Sequence, residues 1–196
     1  SCASLGASAS EDAALASSEL DPATRIRALV ERSVVALRAG ALDEALATAE
    51  LTLGYAEEAG DPAGVGRAQR LVGLVAQERG DPAAARLAFE RSAALAVDDP
   101  DPTASIAAKT ALALAVAAIG SVDEAAAIAA GAIEACRQIG DRHLEAAVEN
   151  HLADLLHDAG RETESMEHLK RAVALFAEVG EREADRDPGI WALAAW

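Results

Sequence analysis

Apolar and polar residues follow one another along the chain with the spacing of amphipathic helices. The stretch LVGLVAQERGDPAAARLAFE, residues 71–90, is typical and is rich in helix-forming residues. It nevertheless contains Gly73 and Gly80, and a glycine inside a helix costs about 1 kcal/mol relative to alanine. The pattern therefore predicts helices, and it requires a structural reason for each glycine.

The helical pattern repeats every 40 residues. Segments 21–60, 61–100, 101–140 and 141–180 align without a gap. Each begins with aspartate, followed in three of them by proline, which is typical of a helix start. Each has a glycine at its mid-point, and three also end on one, which is typical of a helix end. The starting residues are Asp21, Asp61, Asp101 and Asp141. The mid-point glycines are Gly40, Gly80, Gly120 and Gly160, and the final glycines are Gly60, Gly140 and Gly180. Each unit is thus predicted to be two helices, A and B, of roughly 16 residues.

Three columns of this internal alignment hold only small residues. One lies on helix A and two lie on helix B: Ser33, Gly73, Ala113 and Ala153; Ala45, Ala85, Ala125 and Ser165; Thr52, Ser92, Ala132 and Ala172. Small side chains let two helix backbones approach closely. We therefore predict that Gly73 lies where helices A and B cross, and that Gly80 ends helix A.

This order of residues resembles the tetratricopeptide repeat family. The family has a small residue at the eighth position of helix A, glycine near the turn and alanine five residues later, as in LVGLVAQERGDPAAARLAFERSAAL and HLADLLHDAGRETESMEHLKRAVAL. The resemblance covers residues 21–180. Two features depart from it: the period exceeds the usual value of about 34, and Leu29, Gln69, Lys109 and Glu149 replace the usual aromatic residue. The longer variety is similar to repeats of bacterial regulatory proteins, including sensor arms of signal-transduction ATPases.

The resemblance implies an all-α fold, a right-handed α-solenoid of antiparallel helix pairs whose A helices line a concave binding surface. Residues 1–20 align with a helix B and are predicted to be half a repeat or an N-terminal cap. Residues 181–196 are predicted to form a C-terminal capping helix over the last exposed face of one continuous domain. Alternatively, Trp191 and Trp196 anchor this tail on another subunit or domain. The start at Ser1 without methionine suggests a processed product or a piece of a larger protein.

The composition and net charge of the chain restrict the kinds of partner that it is expected to bind. Hydrophobic residues make up 52% of the 196 residues and aromatic residues only 3%, so the core must consist mainly of Ala, Leu and Val. The net charge of −16 argues against nucleic acid and anionic membranes, and favours a basic partner for any charge-driven contact. No apolar run approaches the ~18 residues of a membrane span. The two cysteines, Cys2 and Cys136, are read as reduced thiols of a cytoplasmic protein.

Two groups of residues could carry chemistry. A cluster on helix A of the fourth repeat could bind zinc or act as an acid/base pair: Asn150, His151, Asp154, His157 and Asp158. No HExxH motif accompanies it, so a solvated polar face is favoured, and His143 and His168 are read as isolated surface residues. Cys136 with His143 could form a nucleophile and base, but Cys136 aligns with Ala56, Ala96 and Phe176, which favours a core thiol. We predict no enzyme, no cofactor and no metal.

The family resemblance places the binding groove on helix A. The principal residues are Arg27, Val30, Val34, Arg38, Arg67, Arg70, Leu74, Thr110, Leu114, Asn150, Asp154 and His157. Others are Leu37, Gln77, Glu78, Ala107, Ala117, Ala118, Ala147 and Asp158. The four arginines at one end are predicted to receive a carboxylate or acidic segment, while the middle accepts apolar side chains. Alternatively, the arginines pair with neighbouring acids. A chaperone-type carboxylate clamp is not matched, because Val30 and Val34 replace its lysine and asparagine.

We therefore expect a non-catalytic scaffold or adaptor domain that binds a peptide or protein segment, as part of a larger bacterial regulatory or signalling protein. The alternative is a sensor that binds a small molecule or signalling peptide in the same groove. Homo-oligomers through the terminal repeats or the tail are a further possibility.

Overall fold

The structure, a computed structural model, describes residues 21–186; for Asp98 and residues 181–186 only the backbone is described. Over this range the chain is all-α, with eight α-helices and no strand, as the sequence predicts. The chain divides into two compact units between Pro100 and Asp101.

The first unit consists of two helical hairpins. They are α1 (Pro22–Arg38) with α2 (Leu42–Ala59), and α3 (Pro62–Glu78) with α4 (Pro82–Leu95), followed by a 3-10 turn at Ala96–Asp98. The second unit has α5 (Pro102–Ala118) with α6 (Val122–Ile139), and α7 (Arg142–Asp158) with α8 (Glu162–Arg186). The A helices begin 40 residues apart, and so do the B helices, which confirms the period. A right-handed superhelix through all four repeats stays a prediction.

The predicted helix starts are formed by aspartate side chains. The carboxylates of Asp21, Asp61 and Asp141 each accept a hydrogen bond from the backbone N–H three residues later, at 2.9 to 3.0 Å. Asp101 accepts one from the N–H of Thr103 at 2.9 Å. These caps satisfy N–H groups that have no partner inside the helix. The 40-residue spacing of these aspartates therefore sets the start of every A helix.

Gly180 does not end a helix, so that prediction is wrong. Gly60 and Gly140 are left-handed helix caps with φ of 64° and 73°, whereas α8 runs through Gly180 to Arg186. Gly60 and Gly140 each precede a capping aspartate, while Gly180 precedes the helix-forming stretch EREA. Residues 181–186 are therefore the last turns of α8 and not the start of a separate capping helix. Residues 187–196 lie outside the described range.

The close helix crossing explains Gly73. All twelve residues of the small columns are buried, as predicted. A Cβ atom on Gly73 would lie 2.5 Å from Cε1 of Phe89, whose ring from α4 fills the space. Phe89 is itself completely buried. Glycine is therefore tolerated inside α3 because it makes room for this ring.

In the first and fourth repeats, a serine forms a hydrogen bond between helices A and B at the same crossing. The Ser33 hydroxyl on α1 donates to the Ala45 carbonyl on α2 at 2.9 Å. In the fourth repeat the direction is reversed, and the Ser165 hydroxyl on α8 donates to the Ala153 carbonyl on α7 at 2.8 Å. A small hydroxyl at a buried crossing thus fits without an unsatisfied polar atom.

One ion pair between successive repeats occurs at the same place in both units. Asp43 and Asp123 occupy equivalent positions in the first turn of α2 and α6. Asp43 accepts from Arg79, and Asp123 accepts from Arg161 at 2.8 Å, both arginines lying at the A/B turn of the following repeat. These exposed pairs align neighbouring hairpins within each unit but contribute little stability.

Candidate functional site

The A helices of the second unit line an open depression of about 450 Å³. It lies between the end of α5, the start of α6 and the end of α7. Its lining residues are Leu114, Ala117, Ala118, Gly120, Val122, Asp154, Leu155, Asp158 and Ala159. The structure thus brings together groove residues that the repeat alignment assigned to two different repeats. The surface is mainly apolar, and its only charged lining residues are Asp154 and Asp158.

The other predicted groove residues of this unit lie near the depression without lining it. The Thr110 hydroxyl donates to the Ile106 carbonyl at 2.8 Å within α5. Asn150 donates through Nδ2 to Oδ2 of Asp154 at 3.2 Å. His157 Nδ1 lies 3.1 Å from a Glu162 carboxylate oxygen and turns toward α8. The structure therefore narrows the candidate site in this unit to the residues around Leu114 and Asp154.

On the first unit, the predicted groove is apolar with basic residues around it. Val30, Val34 and Leu74 are half-buried, while Arg27 and Arg38 are exposed. Arg67 donates through Nη2 to both carboxylate oxygens of Asp99, at 3.0 and 3.1 Å, and that carboxylate is only 2% exposed. At Arg67 the structure therefore favours the alternative interpretation, in which the arginine pairs with a neighbouring acid.

Arg70 differs from Arg67 in its surroundings. Its side chain is half-buried on α3, and burial lowers the pKa of the guanidinium from its ordinary value. Among the side chains that the structure describes, none forms a hydrogen bond or an ion pair with it. A desolvated cation without a counter-charge gains more from an incoming anion than a solvated one does. Arg70 is therefore the best placed of the four arginines to receive a carboxylate.

The histidine and aspartate residues of α7 form an exposed polar face. His151, Asp154, His157 and Asp158 are exposed, and nowhere in the described range do three potential ligands converge. The His143 ring packs edge-on against Phe176, with a centroid separation of 5.6 Å. The prediction that His168 is isolated is wrong, because its Nδ1 lies 2.6 Å from Oε2 of Glu149.

His168 belongs to a charge cluster that was not predicted from the sequence. The buried charge cluster consists of Arg137 on α6, Arg142, Glu145 and Glu149 on α7, and His168 on α8. The two glutamates are only 2% and 1% exposed. Arg137 donates to Glu145 at 2.7 Å and to Glu149 at 3.3 Å, and Arg142 donates to Glu145 at 2.9 Å. The cluster therefore connects three helices of the second unit.

The arginines keep the buried Glu145 carboxylate charged. Burial by itself would raise the pKa of Glu145, but hydrogen bonds from Arg137 and Arg142 outweigh it and hold that pKa below its ordinary value. The hydrogen bond to Glu145 in turn raises the pKa of Arg137. One sequence signal could have revealed the cluster. Glu149 shares its repeat column with Leu29, which is buried, so a carboxylate there needs a partner.

Cys136 is a buried free thiol, which confirms the prediction of a core position. Burial, with the nearby charges of Asp141 and Glu145, raises its pKa to about 11. Its reactive thiolate form is therefore rare at neutral pH. In a Cys2→Ser variant, we expect iodoacetamide to label Cys136 roughly a hundredfold more slowly in the folded protein than in urea. Mass spectrometry measures the labelling rate. Equal rates in the folded protein and in urea would show that the Cys136 thiol is accessible.

The predictions for the two ends of the chain concern residues that the structure does not describe. Residues 1–20, Trp191 and Trp196 lie outside the described residues. Helix α8 exposes three large apolar side chains, Met166, Val173 and Phe176. None of the helices described is long and apolar enough to span a membrane. Docking of the tail therefore stays a prediction.

Comparison with known proteins identifies the fold. No family model and no curated protein matches the sequence. Among solved structures, a single-residue variant of a putative kinesin light chain of Podosopora anserina, with nearly identical TPR-like repeats, matches at 18% identity. That match covers 88% of this chain and 83% of the other, with a TM-score of 0.67. BtubC (BKLC) from P. vanneervenii matches at 14% identity. That match covers 84% of this chain and 68% of the other, with a TM-score of 0.70. The described part of the chain is therefore a repeated helical-hairpin array of the tetratricopeptide-like kind.

Proposed function

We propose that this protein is a non-catalytic interaction domain that binds a peptide or protein segment on the exposed face of its A helices. The observation that supports this most directly is the depression at Leu114 and Asp154. Side chains from two repeats converge there on an apolar surface that is open to solvent. Apolar concave surfaces with a few polar groups are typical of binding sites. A role in a larger, cytoplasmic, bacterial regulatory or signalling protein is part of the same proposal.

In the first unit, the proposed contribution is an anion anchor. The half-buried guanidinium of Arg70 can form two parallel hydrogen bonds to a carboxylate of the bound segment. The half-buried side chains of Val30, Val34 and Leu74 supply apolar contacts for neighbouring residues of that segment. Arg67 holds Asp99 and is not part of this anchor.

Site-directed photo-cross-linking tests which helix face binds. A benzophenone amino acid at Ala118, which is exposed on α5, is expected to capture a discrete protein from a lysate of the source organism. The same group at Ala130, which is exposed on α6, is the matched control and should capture none. Equal capture by the two positions would contradict binding on the A helices.

The captured protein, once purified, tests individual residues. We expect Leu114→Glu and Arg70→Met each to weaken its binding at least about tenfold, because each removes a contact that the site buries. The controls are Leu87→Glu and Arg91→Met, at exposed positions on α4. Calorimetry measures the affinities. If Leu114→Glu leaves the affinity for the captured protein unchanged, the second unit is not part of the binding site.

The alternative function is a sensor of a small molecule or signalling peptide. A depression of about 450 Å³ is large enough for a small ligand. Thermal stabilisation by a compound, abolished by Leu114→Glu and retained in Leu87→Glu, would favour the sensor over the adaptor. Homo-oligomerisation stays a prediction from the sequence.

A further inference from the structure

The depression in the second unit combines an apolar surface with negative charge at one side. Leu114, Ala117 and Leu155 form apolar surface, while Asp154 and Asp158 contribute carboxylates from one face of α7. No lysine or arginine lines it. The only charged residue of α5 is Lys109, which is not among the lining residues. Negative charge in this depression is thus not neutralised by basic residues of its wall.

Both carboxylates retain capacity to accept hydrogen bonds. Asp158 has no hydrogen bond or ion pair anywhere in the described range. Asp154 accepts one hydrogen bond, from the neutral amide of Asn150 to Oδ2. Residues four apart on a helix lie on the same face, so the two carboxylates are neighbours. Together they can receive more than one N–H donor from a single cationic group.

The helix ends at the depression add to the negative potential. Helices α5 and α7 end there, at Ala118 and Asp158, and the C-terminal end of a helix carries partial negative charge. Helix α6 begins at the same place with Val122. Glu124 in its first turn opposes the positive end of this helix, and Asp123 beside it is paired with Arg161. Two C-termini and two carboxylates thus favour a cation over a neutral or anionic group.

We propose that this depression receives a lysine side chain from a basic segment of the partner protein. Its aliphatic stem lies against Leu114, Ala117 and Leu155, and its ammonium donates to Asp154 and Asp158. Long cationic side chains place apolar stems on apolar surface in this way. The net charge of −16 attracts such a segment at long range. This inference rests on the proposed peptide-binding function and specifies its chemistry.

The test uses a fluorescein-labelled peptide that repeats Ala-Leu-Lys three times, with matched peptides that carry norleucine or glutamate at each lysine. Fluorescence anisotropy gives the affinity of the full chain for each. We expect the lysine peptide to bind most tightly and the glutamate peptide least. Asp154→Asn with Asp158→Asn should weaken lysine-peptide binding about tenfold or more, and should leave norleucine-peptide binding unchanged.

The matched control is Glu57→Gln with Glu58→Gln, which changes the net charge equally at exposed positions on α2. Lysine-peptide binding should be retained in this control, and the amide resonances of Gly120 and Ala118 should shift on titration of the wild type. The inference is overturned by equal losses in both double variants, by equal affinity for lysine and norleucine peptides, or by no binding of the lysine peptide. If the norleucine peptide binds and Leu114→Glu abolishes that binding, the proposed peptide-binding function is still supported. Failure of the lysine-binding inference can therefore be distinguished from failure of the proposed function.

Discussion

Replacing Arg137 by methionine should destabilise the protein by about 3 kcal/mol at neutral pH, because it leaves buried carboxylates without their shared partner. Glu145 would keep Arg142, and Glu149 would keep only His168. Urea denaturation followed by circular dichroism measures the loss. The control is Arg91→Met, at an exposed arginine on α4, and it should cost less than about 1 kcal/mol.

The same loss should depend on pH in a defined direction. The folded-state pKa of Glu145 is lowered, so its contribution to stability is present above the unfolded-state pKa and disappears as pH falls through the folded-state value. Below that range the carboxyl is protonated in both states, and the arginine has no charge to compensate. The difference between the wild type and Arg137→Met should therefore shrink from neutral pH toward strongly acidic pH. A difference that stays constant or grows would show that Arg137 acts by packing alone.

Gly73→Ala is expected to destabilise the protein by about 2 kcal/mol, although alanine is the better helix former. The added Cβ would lie 2.5 Å from the Phe89 ring, which is completely buried, so the ring or one of the two helices would have to shift. In the fourth repeat, Ala153 and Leu169 occupy the positions of Gly73 and Phe89. Adding Phe89→Leu to Gly73→Ala should therefore recover part of the lost free energy of unfolding.

The control for this change is Gly131→Ala on α6. Gly131 is exposed, and a Cβ there would have no neighbouring atom within 4 Å. This variant should stabilise the protein by up to about 1 kcal/mol through helix propensity alone. If Gly73→Ala also raised the urea midpoint, the close crossing of α3 and α4 would be refuted. The pair thus separates packing from helix propensity.

The repeat pattern was predictable because its signals are local. Each aspartate caps the helix that follows it within three residues, and the mid-point glycines turn the chain between helices A and B. The prediction failed at Gly180, where glycine occurs without a following cap and the helix continues. A glycine therefore marked a helix end in this chain only where the next residues could start a new helix.

The charges were harder to interpret from sequence, because their partners are distant along the chain. Arg67 looked available in the sequence, but it binds Asp99, which lies 32 residues away. Likewise, Glu149 was noted only as a departure from the family pattern, yet it lies 1% exposed between Arg137 and His168. Whether a charged side chain is paired depends on which helices pack together, and a pattern of single residues does not contain that information.

By itself, the sequence determined the helices, their 40-residue period and the small residues at each crossing, because caps, turns and backbone approach depend on residues within one hairpin. The tertiary structure decided which charges are compensated and which remain open to a ligand. It paired Arg67 with Asp99, and Glu149 with Arg137 and His168. It also placed Leu114 of one repeat beside Asp154 of the next. Burial and counter-charges are set by the packing of separate hairpins, and they decide which surface can bind a partner.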